Sequence, residues 1–190
     1  MSNKQCIKLN SPKIPPIIPT YTGSNIRPAF LKKYHYLLLT SLNGVHQNLR
    51  YHPESDALYH SLQVFQHAHK ACSDPELWAA ALLHDIGKAV SASNHAEIGA
   101  QKLEGLLSSR VVWLVRHHLH LLIAPKRTRR WLHNTPQLND LELLRNWDLN
   151  GRSPYATVIT PFDAIDILMQ HFSALQFRSN MAYYYENKEL

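Results

Sequence analysis

Five consecutive residues, His84-Asp85-Ile86-Gly87-Lys88, set two side chains with metal-binding chemistry next to each other at the end of an apolar run. An imidazole nitrogen and a carboxylate oxygen can bind one cation, and the second carboxylate oxygen can reach another. In mid-helix, adjacent side chains diverge by about 100°. The pair can therefore converge only where a helix ends, and Gly87 is the expected stop. A lone His-Asp pair carries little weight, but this chain holds 13 histidines. Several stand in order around the pair: His60 before it, His95 after it, His117-His118 further on, and Asp148 beyond them. Histidine is both a metal ligand and a near-neutral acid–base group. Helical bundles build metal centres from such side chains projecting inward from facing helices.

Those residues need helices to carry them. Phe30, Tyr34, Leu37 and Leu38 recur at helical spacing and predict a helix to about Leu42, closed by Asn43-Gly44. His52-Pro53-Glu54-Ser55-Asp56 is turn chemistry, with Ser55 or Asp56 as the cap of a helix over 57–71 that carries His60. Ser73-Asp74-Pro75-Glu76 opens the next helix, which runs through Leu77, Ala80 and Ala81 to His84. Asn94 is the expected cap of a helix to about Leu107, with His95 at its start. A helix over 110–122 carries His117 and His118, and one over 136–149 carries Asp148 near its end. Pro161 opens a last helix to about Arg178. No run of period-two strands, internal repeat, GxGxxG or phosphate-loop motif interrupts this pattern. The expectation is an all-α fold of six to eight helices around one core.

Composition sets the limits. At 190 residues the chain is one domain, with 45% hydrophobic and 18% charged residues that exclude disorder throughout. Pro12, Pro15, Pro16, Pro19 and Pro28 mark residues 1–28 as an extended arm ahead of a helical domain over 29–190. No apolar run reaches the ~18 residues of a membrane span, and the start shows no secretory signal. Two cysteines, Cys6 and Cys72, make no disulfide framework, so a reduced, cytoplasmic setting is expected. The net charge of +6 favours an anionic partner such as a nucleotide or RNA. The basic run Lys126-Arg127-Thr128-Arg129-Arg130 reads first as a solvated face and second as a phosphate-backbone contact.

The order His60, His84-Asp85, His95, His118, Asp148 resembles the signature of the HD superfamily of metal-dependent phosphohydrolases. Local strings sharpen the likeness. His52-Pro53-Glu54-Ser55-Asp56 with His60-Ser61-Leu62, and Ala80-Ala81-Leu82-Leu83-His84-Asp85-Ile86-Gly87-Lys88, are similar to the HD domain of bacterial CCA-adding tRNA nucleotidyltransferases. So are Asn94-His95-Ala96-Glu97-Ile98-Gly99-Ala100, Leu114-Val115-Arg116-His117-His118 and Asp148-Leu149-Asn150-Gly151-Arg152. The resemblance covers about residues 50–155. Residues 1–49 lack a nucleotidyltransferase domain with paired carboxylates, so the expectation is a freestanding HD domain that does not itself add CCA.

The resemblance implies one or two divalent ions: Mn, Fe, Co, Ni, Zn or Mg. It implies His60, His84, Asp85 and Asp148 at a first metal, and His95 and His118 at a second, with Asp85 bridging. His117 is the alternative to His118, because HD-GYP-type relatives use both members of a paired histidine. Lys88 is the candidate to neutralise a substrate phosphate, with Arg116 and Arg152 behind it. With no thiolate in the set, a structural zinc site is not expected. The implied activity is hydrolysis of a phosphomonoester or phosphodiester of a nucleotide, cyclic nucleotide or RNA end, as in a phosphodiesterase. The same ligands also serve HD-type di-iron oxygenases, and a non-catalytic nucleotide- or RNA-binding module is the reading from a different class. His67, two helical turns past His60, reads as packing.

Overall fold

The computed structural model describes residues 28–176. Ten α-helices and a 3-10 turn follow one another there: α1 (Pro28–Thr40), α2 (Ala57–Ala71), α3 (Pro75–Leu83), the 3-10 turn (Ile86–Ala89), α4 (His95–Leu103), α5 (Ser109–His117), α6 (His120–Ile123), α7 (Pro125–Trp131), α8 (Pro136–Asn150), α9 (Pro161–Gln170) and α10 (Phe172–Leu175). Among the described residues the only β pairing is an isolated bridge between His46 and Asp56. The fold is all-α.

Helix α3 organises the bundle. Every residue from Leu77 to Leu83 is buried, so this helix has no solvent face. Ala79, Ala80 and Ala81 keep it thin, and α2, α5, α8, α9 and α10 pack around it. Leu82, Leu83 and the following Ile86 are fully buried, and each stabilises the fold by about 2 kcal/mol relative to exposure. Asp74 accepts hydrogen bonds from the Glu76 and Leu77 amides, and Pro75 sits where no donor is needed, so α3 starts where the sequence predicts. Asp56 rather than Ser55 caps α2, accepting from the Tyr59 amide. Its other oxygen accepts from the Gly44 amide, where φ of +78° closes the turn after α1.

Several boundaries differ from the sequence pattern. Helix α3 ends at Leu83, and Gly87 lies in the 3-10 turn beyond it. Gly87 is needed there for close approach, since a Cβ would lie 2.0 Å from the His95 carbonyl oxygen. Asn94 occupies the cap position of α4 without a side-chain cap bond, and α4 stops at Leu103 ahead of Gly105, whose φ is +70°. The single helix expected over 110–122 is two, α5 and α6, parted at His118-Leu119. The basic run forms a helix of its own, α7. Pro28, read as part of the arm, opens α1. The rest of the arm, Cys6 and the end of the last expected helix lie outside the described residues. None of the described helices is long and apolar enough to cross a membrane.

Candidate metal centre

The site lies beyond the C-terminal end of α3, where α2, α4, α5 and α8 close around it. Helix α2 brings His60, the end of α3 brings His84 and Asp85, the start of α4 brings His95, the residue after α5 is His118, and α8 brings Asp148. His60, His84, Asp85, His95 and His118 are buried, and Asp148 is half-buried. Asp85 stands in the middle. Its Oδ2 is 3.3 Å from His84 Nε2 and 3.9 Å from His60 Nε2. Its Oδ1 is 3.2 Å from His95 Nε2 and 3.8 Å from His118 Nε2. Asp148 Oδ1 is 3.2 Å from His60 Nε2. Donor atoms of His60, His84 and Asp85 lie within 4.8 Å of one another, as do those of Asp85, His95 and His118. All six candidate ligands are thus brought together.

The other ring nitrogens explain the orientation. Nδ1 of His84 pairs with the Ala81 carbonyl at 3.0 Å, Nδ1 of His95 with Ala92 at 2.8 Å, and Nδ1 of His118 with Val115 at 2.7 Å. His60 Nδ1 lies 2.9 Å from the Gly151 carbonyl and 2.9 Å from Glu54 Oε1. A proton donated from Nδ1 leaves the lone pair on Nε2, which is the arrangement of metal-binding histidines. In all four rings Nε2 faces the Asp85 carboxylate. His60 Nε2 is fully buried, with the Asp148 oxygen 3.2 Å away. Nitrogen and carboxylate donors this close repel unless protons or a cation stand among them, and a set that can release its protons to a cation fits a divalent metal.

The electrostatics show a demand for positive charge that protons and Lys88 meet in the metal-free protein. Burial opposes ionisation of Asp85, but the neighbouring His84 and Lys88 charges, with hydrogen bonds from His84 and His95, hold its pKa well below the usual carboxylate range. Burial lowers the His60 pKa, and the Asp148 and Glu54 carboxylates outweigh it, raising it to about 9. Burial, helped by the His84 charge, lowers His118 to about 3, leaving that imidazole neutral.

Lys88 lies at the edge, with Nζ 2.6 Å from Asp85 Oδ2 and 2.5 Å from Gln47 Oε1. Arg152 donates to Asp148 Oδ1, the oxygen that also faces His60, at 3.0 Å, and to the Tyr51 carbonyl. Arg116 instead faces away from the cluster, donating to Glu97 at 2.9 Å and to Glu104. His117 also turns aside: it stacks on Trp113 with ring centroids 4.4 Å apart, and burial lowers its pKa to about 4. Both line a cleft of about 530 Å³ that also touches Asn94, His120 and Arg127. The neighbours of His95 and His118 therefore line a cleft while those two rings face the cluster. His67 is exposed and pairs with the Asn150 carbonyl. Gln47 escapes sequence reading, having no motif at all, and Glu54 reads there first as turn chemistry and second, with His52, as shaping the mouth of the site.

A family model described as HD domain matches residues 57–168. The chain belongs to the HD domain family. Two curated relatives of this HD domain are each named Multifunctional CCA protein. That of Hahella chejuensis (strain KCTC 2396) is 36% identical over 75 residues, covering 36% of this chain and 18% of the relative. That of Methylococcus capsulatus (strain ATCC 33009 / NCIMB 11132 / Bath) is 46% identical over 50 residues, covering 26% and 12%. The chain thus matches less than a fifth of the length of these relatives. Membership brings the metal-dependent phosphohydrolase superfamily with it, and the buried histidine–aspartate cluster is a place where such a metal could sit.

Proposed function

We propose that this chain is a phosphohydrolase using one or two divalent ions held by His60, His84, Asp85, His95, His118 and Asp148. The observation that carries the reading is the convergence of four imidazole Nε2 atoms on the two oxygens of one buried carboxylate. Asp85 divides the set: His60, His84 and Asp148 serve one ion, and His95 and His118 the other. Mixed imidazole and carboxylate donors suit Mn, Fe, Co, Ni or Zn better than a site of oxygen atoms alone. When bound, such an ion supplies a water that deprotonates near neutral pH and offsets charge on phosphoryl oxygens.

The chain's own side chains do the rest. The four Nδ1 contacts hold the rings so that no reorganisation is needed on loading. Lys88 presents an ammonium beside Asp85 and receives a phosphoryl oxygen. Arg152 orients Asp148, and it and Arg116 become phosphate contacts only on release from Asp148 and from Glu97 and Glu104. The substrate we propose is a phosphomonoester or phosphodiester of a nucleotide, cyclic nucleotide or RNA end. The family match, the likeness to CCA proteins and the net charge of +6 support that class. Exposed Lys126, Arg127 and Arg130 on α7 extend it to RNA, while Arg129 pairs with Glu142.

The test is phosphate or nucleotide release from a panel of nucleotides, cyclic nucleotides and RNA ends, under anaerobic conditions with Mn. Release that vanishes in Asp85→Asn is the expected result. Oxygen consumption with Fe and no hydrolysis would replace this reading with the oxygenase. Salt-dependent RNA binding without turnover would replace it with a binding module.

A further inference from the structure

His84, His95 and His118 are each held by a carbonyl three residues back in their own chain. His60 is held differently. Its Nδ1 meets the Gly151 carbonyl, contributed from 91 residues away, and the Glu54 carboxylate at the same distance of 2.9 Å. Gly151 can come this close because it has no side chain; a Cβ there would lie 2.6 Å from Val64 Cγ2. Glu54 arrives by another device. Ser55 adopts a left-handed φ of 64°, which a non-glycine residue takes at a cost of about 1–2 kcal/mol. The chain turns there, so Glu54 goes inward while Asp56 caps α2. The Glu54 side chain is fully buried, and its Oε1 also meets His52 Nδ1 at 2.8 Å. Its Oε2 has no partner.

A turn needs none of this. A solvated Glu would close the same loop without a buried, half-satisfied carboxylate. A carboxylate behind a metal-binding imidazole, by contrast, fixes the ring and strengthens its donor nitrogen. We infer that Glu54 is a positioning residue of the metal centre, acting through His60, with His52 holding the carboxylate in place. The inference rests on the proposal that His60 is a metal ligand.

The experiment is a cobalt(II) titration of the full chain, followed by visible absorption, for wild type, Glu54→Gln, Glu54→Ala and His60→Ala, with thermal midpoints of the metal-free proteins alongside. Glu54→Ala is expected to weaken cobalt binding about 10–100-fold and to alter the ligand-field bands. Glu54→Gln, whose amide oxygen can still accept from His60, should fall between it and wild type. Where Glu54→Ala does not fold, Glu54→Gln decides alone by binding cobalt more weakly than wild type with altered bands. Wild-type affinity and spectrum in the Glu54 variants would overturn the inference whatever their thermal midpoints, and leave Glu54 a turn residue. Wild-type protein that binds no cobalt would overturn the metal reading first and this inference with it. A loss in His60→Ala without one in either Glu54 variant would keep the centre and remove Glu54 from it.

Discussion

The two ends of α3 carry two clusters of charged side chains, half-buried at one end and buried at the other, built in opposite ways. At the N-terminal end, Arg110 of α5 donates to Asp74 at 2.7 Å and Glu76 at 3.0 Å, and forks onto Asp140 of α8 at 2.8 and 2.9 Å. Ser108 donates to the other oxygen of Glu76. The Asp140 and Asp74 carboxylates outweigh burial and raise the guanidinium pKa above its ordinary range. Here the protein supplies its own cation, and the donors and acceptors match. At the C-terminal end, four imidazoles and two carboxylates face a common space, and the Lys88 ammonium bonds one oxygen of the central Asp85. A cluster that closes on itself is a fastening. One that gathers four imidazoles around a carboxylate already bonded to an ammonium has donors to spare for a metal, and the carboxyl end of a helix favours positive charge.

Breaking the fastening gives the largest expected effect. Arg110→Met leaves the buried Asp140 and two half-buried carboxylates uncompensated and should destabilise the fold by about 3–5 kcal/mol in urea unfolding, while metal content per folded molecule stays as in wild type. If metal were lost in parallel, the two ends of α3 would not be independent. Asp85→Asn should do the reverse. Hydrolysis should fall about 100–1000-fold, ~3–4 kcal/mol of transition-state stabilisation, with the helical circular dichroism spectrum kept.

A third buried polar group sharpens the contrast. His35 is buried on α1 with its Nε2 unpartnered, and burial lowers its pKa to about 4 from 6.5. It neither closes a network nor converges on a site. The sign follows from the depressed value: the neutral ring contributes its full stability above pH ~6.5, and that is lost as pH falls through ~4. His35→Phe should therefore flatten the acid arm of stability by about 3 kcal/mol between pH 7 and 4 in urea titrations. An unchanged arm would place the acid sensitivity elsewhere. The smallest effect is at the edge of the site. Lys88→Met should lower activity about tenfold, ~1.4 kcal/mol, mainly through KM, with metal retained.

The histidine–aspartate cluster was legible in the sequence because its residue types are chemically distinctive and recur along successive helices. His84-Asp85 needed a helix end, and the structure provides it, though through α3 stopping at Leu83 and a close approach at Gly87 rather than a glycine stop. The choice between His117 and His118 depended on which ring faces inward, which spacing alone does not determine when the helix breaks beside them without a glycine or proline. The Arg110 fastening left no local signal, since its partners lie 30, 34 and 36 residues away. Glu54 was partly hidden for another reason. Its place in a turn accounts for its residue type, and only the left-handed Ser55 reveals that the side chain goes inward.

The central claim is the proposal that the residues at the C-terminal end of α3 hold a divalent cation. Elemental analysis of protein purified without chelator, beside His84→Ala/Asp85→Ala, tests it most directly. The account predicts about one or two equivalents of divalent metal in wild type, absent from a double variant that keeps its helical spectrum. No metal in either protein, even after soaking with Mn, Ni or Zn, would contradict it.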